Sequence, residues 1–156
     1  MFRLLFVCTG NICRSPTAEA LLRHHAQQAG LTHALSIDSA GTHDYHIGEP
    51  PDSRTIAVAK RFGVDMTMLR ARQVSAQDFH GQNLILAMDN SHLRWLEHKK
   101  PQNAAANIGL MLPYCGSDEQ DVADPYYKDN RAFEQVFHQL DAAMPQLLTR
   151  LKPQLA

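Results

Sequence analysis

The chain has 156 residues, 44% of them hydrophobic and 20% charged, and a formal net charge of -1 at pH 7. A chain of this length folds as one domain and buries roughly 70% of the surface it exposes when unfolded, so 1–156 is read as a single domain. The balance excludes a mainly disordered chain and a basic nucleic-acid binder. Membrane insertion is not expected: the longest apolar runs, Leu4 to Cys8 and Leu84 to Met88, fall far short of the ~18 residues of a membrane span. A secretory signal needs ~7–15 apolar residues near the start, and without one the expected location is cytoplasmic.

Short apolar runs alternate with amphipathic stretches. Arg3 to Val7 reads as a buried strand followed at once by a Gly-containing loop. Ser15 is expected to cap a helix with Pro16 at its first position. Ala18, Leu21, Leu22, Ala26 and Ala29 share one face of that helix, and Gly30 stops it. Leu35 to Ala40 reads as a second strand, Gly41 to Ser53 as a long exposed loop, and Asp52 to Phe62 as a helix stopped by Gly63. Asn83 to Met88 reads as a third strand, and a helix after Asp89 carries Leu93, Trp95 and Leu96. Ile108 to Leu112 is a fourth, closed by Pro113, with a polar loop from Gly116 to Asp124. Phe133, Val136, Phe137, Leu140, Met144, Leu147, Leu148 and Leu151 then recur at helical spacing. That period continues past Pro145, which predicts a kink there rather than an end.

Strands separated by helices imply an α/β three-layer sandwich: a four-stranded parallel sheet flanked by helices on both faces, Rossmann or flavodoxin-like. Ligands in such folds bind outside the carboxyl ends of the strands. That rule points to the loop Cys8 to Ser15 before any chemistry is considered.

The loop reads Cys8-Thr9-Gly10-Asn11-Ile12-Cys13-Arg14-Ser15-Pro16, with spacing C-x5-R-S. Curled around a centre, its backbone N–H groups form an anion nest, and the helix N-terminus adds unpaired donors and partial positive charge. Gly10 and Asn11 tolerate the left-handed conformations of a tight curl. Arg14 supplies a planar fork that fits two phosphate oxygens. The same surroundings favour a thiolate at Cys8, and the Ser15 hydroxyl can donate to the sulfur. A thiolate facing a bound phosphoryl group can attack in line and form a phosphocysteine. The loop lacks the Lys of a Walker loop and the glycines of a dinucleotide fingerprint. A lone Cys at a strand end reads as a buried core residue; the C-x5-R-S spacing before a helix turns the reading to catalysis. The other cysteines are Cys13 and Cys115, and neither C-x2-C nor His-x3-His occurs. A disulfide framework and a structural zinc site are therefore not expected. The nine histidines are scattered and read as solvated or partly buried side chains.

The segment Val7 to Pro16 resembles the signature of the low-molecular-weight protein tyrosine phosphatases. Asp38-Ser39-Ala40-Gly41-Thr42, Ala71-Arg72-Gln73, Ala87-Met88-Asp89 and Asp124-Pro125-Tyr126-Tyr127 match further family segments in order. The resemblance implies Cys8 as nucleophile, Arg14 as phosphate binder and Asp124 as general acid, then base. It implies Thr9, Gly10, Asn11, Ile12, Cys13 and Ser15 around the phosphate, and Tyr45 and Tyr126 as aromatic walls. Many relatives carry Trp at the position of Tyr45. It also implies that Asn11 holds the loop's shape by a hydrogen bond to Ser39, and that Cys13 captures oxidised Cys8 as a disulfide. Taken alone, Ser39 reads equally well as a turn residue and Cys13 as a packing residue. No metal or organic cofactor is implied. The implied partner is a phosphotyrosyl protein, a bacterial tyrosine kinase among the candidates, and the expected state is a monomer or weak dimer. Arsenate reductases share a similar loop but need further cysteines outside it, where this chain has only Cys115. Protein-arginine phosphatases favour Thr where this chain has Ile12. A non-catalytic phosphate-binding module would require loss of Cys8, Arg14 or Asp124, and all are present.

Overall fold

Four parallel strands lie in the order β2-β1-β3-β4 in the computed structural model, which describes residues 1–155. They are β1 (Phe2–Cys8), β2 (Leu35–Gly41), β3 (Leu84–Ala87) and β4 (Asn107–Leu110). The helices are α1 (Arg14–Gln28), α2 (Ser53–Arg61), α3 (Ala76–Gly81), α4 (Asn90–Lys99), α5 (Met111–Tyr114) and α6 (Asn130–Leu151). Side chains alternate across a strand, so β1 feeds two cores. Leu4, Phe6 and Cys8 pack with α1 and α6, whereas Leu5 and Val7 pack with Phe79 of α3 and Leu96 of α4. Both faces of the sheet are covered, which is why β1 is apolar throughout its second half.

The topology fixes where a ligand can sit. Cys8 lies opposite Gly41 of β2, and on the other side Val7 lies opposite Ala87 of β3. The chain leaves β1 for β2 on one flank and returns to β3 on the other. The carboxyl ends of β1 and β3 therefore form the switch point where two following loops diverge and leave a crevice.

Several local expectations are corrected. Helix α1 begins at Arg14 with Cys13 as its N-cap and no side-chain cap. Ser15 lies inside the first turn because its hydroxyl is taken by Cys8 and Asn11. Pro16 still fits, since first-turn N–H groups have no helical partner. Ala29 is exposed at the C-cap rather than on the buried face. The fourth strand stops at Leu110, and Met111 to Tyr114 turn into α5 with Pro113 in its first turn. Helix α3 was not expected; it starts where the Ser75 N–H donates to Asp78 Oδ2 (2.8 Å). Helix α6 runs through Pro145 to Leu151, with the whole apolar stripe from Phe133 to Leu151 buried.

Candidate active site

The loop after β1 is held from beneath by Asn11. Its backbone has φ 58°, the only positive value among the described non-glycine residues. Asn is among the residue types that tolerate this conformation. The side chain secures it with every polar atom: Nδ2 donates to Ser15 Oγ (2.8 Å) and Ser39 Oγ (2.9 Å), and Oδ1 accepts from the Arg72 N–H (3.1 Å). Ser39 Oγ in turn donates to Glu19 Oε1 (2.6 Å). Burial pushes the Glu19 carboxyl above its ordinary range, against the hydrogen bonds from Ser39 and Arg23. The strand beside the loop must come close as well. The Thr42 and His43 N–H groups donate to the carbonyls of Cys8 and Thr9 (2.8 and 3.0 Å). A Cβ on Gly41 would lie 2.6 Å from the Thr9 carbonyl oxygen.

Cys8 Sγ lies 2.9 Å from Ser15 Oγ. Ser15 already accepts from Asn11, so its own proton can point to the sulfur or to the Ala40 carbonyl, 3.5 Å away. The N–H groups of Gly10 to Cys13 have no backbone acceptor among the described residues. With the uncapped start of α1 they leave donors for an anion. Arg14 is 3% exposed. Its Nη1 donates to Asp89 Oδ2 (2.8 Å) and the Val122 carbonyl (2.9 Å), while Nη2 stands 3.7 Å from Asp124 Oδ2.

Asp89 and His92 back this arrangement. Burial alone would raise the Asp89 carboxyl, but hydrogen bonds from Ser91 and Arg14 and the neighbouring imidazole bring it down to about 2. His92 Nε2 lies 2.7 Å from Thr9 Oγ1. Its Nδ1 is 3.2 Å from Asp89 Oδ1 but off the bonding direction, and it has no hydrogen-bond partner. Burial, then the charge of Arg14, pulls His92 down to about 4. It is neutral at pH 7.

Cys8, Ile12, Cys13 and Arg14 meet in a pocket of about 140 Å³, with Thr9 and Gly10 beside them. Asp124, Tyr126, Tyr127, Tyr45 and His46 complete its wall. Tyr45 stacks on His43 with ring centres 5.0 Å apart. Asn11 and Ser15 do not line the pocket with their side chains; they sit under it, as does Ser39. Burial, then the charge of Cys8, pushes the Cys13 thiol up to about 12. A larger groove of about 990 Å³ between α6 and the 115–125 segment contains neither Cys8 nor Arg14. Chemistry, not size, selects the smaller pocket. Among the described residues no three His, Cys, Asp or Glu side chains gather as a metal site. Sequence reasoning assigned no role to Asp89, His92, His46 or the Val122 carbonyl. Asp89 stood in a family-like segment, and the spacing Asp89-x2-His92 at the start of α4 was the available signal for the pair.

The description "Low molecular weight phosphotyrosine protein phosphatase" belongs to a family model that matches residues 3–156. A low molecular weight protein-tyrosine-phosphatase of Streptomyces coelicolor is 40% identical, covering 99% of this chain and 96% of the relative. A protein tyrosine phosphatase crystal structure from Entamoeba histolytica superposes with TM-score 0.92 at 37% identity, covering 99% of each chain. The Drosophila arginine phosphatase structure superposes with TM-score 0.89 at 34% identity, covering 96% of this chain and 97% of that one. The chain belongs to the low molecular weight phosphotyrosine protein phosphatase family.

Proposed function

We propose that the chain hydrolyses phosphotyrosine in proteins through a phosphocysteine on Cys8, within one catalytic domain spanning 1–156. The observation that carries this is the meeting of Cys8, Arg14 and Asp124 in one small pocket. Arg14 and the N–H groups of Gly10 to Cys13 take the phosphoryl oxygens and stabilise their charge in the transition state. Cys8 Sγ attacks phosphorus; the S–P bond forms as the P–O bond to the phenol breaks. Asp124 gives its proton to the departing phenolate oxygen. It then takes a proton from water, whose oxygen attacks phosphorus, releasing inorganic phosphate and the Cys8 thiolate. Ser15 offsets the sulfur's charge before attack and after release.

Tyr45 and Tyr126 grip the phenyl ring between aromatic faces. These walls and Ile12 favour phosphotyrosine over phosphoarginine. Cys13 is a neutral thiol beside the nucleophile, placed to condense with a Cys8 sulfenic acid, giving a disulfide and water. The partners are phosphotyrosyl proteins, a bacterial tyrosine kinase among them, and the enzyme works in the cytoplasm as a monomer or weak dimer. No helix among the described residues is long and apolar enough to cross a membrane.

The test is steady-state turnover of a phosphotyrosine peptide and a phosphoarginine peptide by wild type, Cys8→Ser and Asp124→Ala. The expected result is phosphotyrosine turnover by wild type, none by Cys8→Ser, and a loss of roughly a hundredfold or more in Asp124→Ala. Preference for the phosphoarginine peptide would overturn the substrate assignment.

A further inference from the structure

The reading of Asp124 as the acid leaves open what aims its carboxyl, since the residue lies on an exposed loop. We propose that Arg54 is a positioning residue that sets the orientation of Asp124 by way of Tyr126. The inference rests on the proposed role of Asp124.

Arg54 sits in the first turn of α2, far from Cys8 in sequence. Its guanidinium is held on several sides. Nε and Nη2 form a two-point pair with Asp52 Oδ1 (3.0 Å) and Oδ2 (2.9 Å). The group lies 4.3 Å above the Phe133 ring of α6 and 5.6 Å from the Tyr126 ring. Asp52 is itself tied to the phosphate-binding loop, because its N–H donates to the Ile12 carbonyl (2.9 Å). Arg54 is thus anchored to the loop that holds the nucleophile.

From that anchor it reaches the acid. Nη2 also donates to the Tyr126 carbonyl (3.2 Å). The Tyr126 N–H donates to Asp124 Oδ1 (3.0 Å). One carboxylate oxygen is therefore engaged, and the other, Oδ2, faces Arg14 at 3.7 Å. Tyr126 thus fixes which carboxylate oxygen, Oδ2, is turned toward the pocket. Tyr126 contributes its backbone to this relay and its ring to the pocket wall, so one contact from Arg54 sets both. Lysine cannot replace the planar fork that serves Asp52 and the Tyr126 carbonyl together.

A merely structural role for Arg54 would weaken turnover of every substrate alike. A role through the acid depends on the leaving group, because a stable phenolate departs without a proton. The test measures kcat/KM on phenyl phosphate and dinitrophenyl phosphate for wild type, Arg54→Gln and Arg54→Lys, each also in an Asp124→Ala background. Competitive inhibition by inorganic phosphate reports whether the pocket is intact. The expected result is a roughly ten- to hundredfold fall on phenyl phosphate, as misplaced catalytic groups produce. The dinitrophenyl ester and phosphate inhibition should change little, and the Arg54 effect should vanish once Asp124 is gone. Equal losses on the two esters, or an undiminished Arg54 effect without Asp124, would overturn the proposal. Wild type inactive on both esters would instead contradict the phosphatase reading, and this inference with it.

Discussion

Arg14 Nη1 and Asp89 Oδ2 stand 2.8 Å apart, although one follows β1 and the other follows β3. The pair spans the switch point of the sheet. It orients the guanidinium so that Nη2 is left for the pocket, where Asp124 Oδ2 is its neighbour at 3.7 Å.

Asp89→Asn keeps a residue able to cap α4 but removes the charge opposite a buried arginine. The expected cost is about 2 kcal/mol in transition-state binding, or roughly thirtyfold in kcat/KM. Para-nitrophenyl phosphate hydrolysis by the variant measures it; unchanged kcat/KM would show that Val122 alone suffices to orient Arg14.

His92 gives stability a pH dependence. Burial lowers it to about 4 in the folded chain from an ordinary 6.5. Between those values the unfolded chain binds the extra proton, so stability rises with pH there. The contribution is complete above the unfolded value and is lost as pH falls through about 4. It amounts to about 3 kcal/mol. Asp89 acts in a lower window, being ionised down to about 2. Urea denaturation from pH 7 to pH 4 should show a steep loss in wild type and a flatter one in His92→Asn. Parallel curves would remove His92 as the cause.

Gly41→Ala should injure the phosphate-binding loop without touching any catalytic side chain. The added Cβ would meet backbone, the Thr9 oxygen at 2.6 Å and the Gly10 carbonyl carbon at 3.2 Å. Backbone has little freedom to yield, so a loss of about 2 kcal/mol in stability and weaker phosphate inhibition are expected. Both quantities unchanged would mean that the loop shifts freely.

Much of this arrangement was legible in the sequence, and the remainder has a common cause. Residues Cys8 to Pro16 carry their meaning locally, since a strand, a tight turn and a helix start lie within a few positions. The stripe from Phe133 to Leu151 was equally plain, because about five turns repeat one period. Helix α3 was not legible: Ala76–Gly81 is too short to show a period. Met111 and Leu112 are apolar and buried, so nothing in their pattern separated the end of β4 from the start of α5. The site's supports were hidden differently. Thr9 with His92, Arg14 with Asp89 and Arg54 with Tyr126 are contacts between distant segments. The strand order brings the first two together, and the packing of α2 on α6 the third. Ser15 misled for a physical reason, because a hydroxyl used by Cys8 and Asn11 cannot also cap the helix.

Cys13 should protect the nucleophile from oxidation. Peroxide-treated wild type is expected to recover activity with dithiothreitol, and Cys13→Ser to remain inactive as Cys8 proceeds to sulfinic acid. Equal recovery of the two proteins would assign Cys13 a packing role only.

The most direct measurement is rapid quenching in alkaline denaturant, where an S–P bond survives, during turnover of a radiolabelled phosphotyrosine peptide, followed by mapping of the label. The label is expected as phosphate on the peptide that bears Cys8, and absent from Cys8→Ser. Turnover with no phosphoryl group on Cys8, or with the label on another residue, would contradict the mechanism.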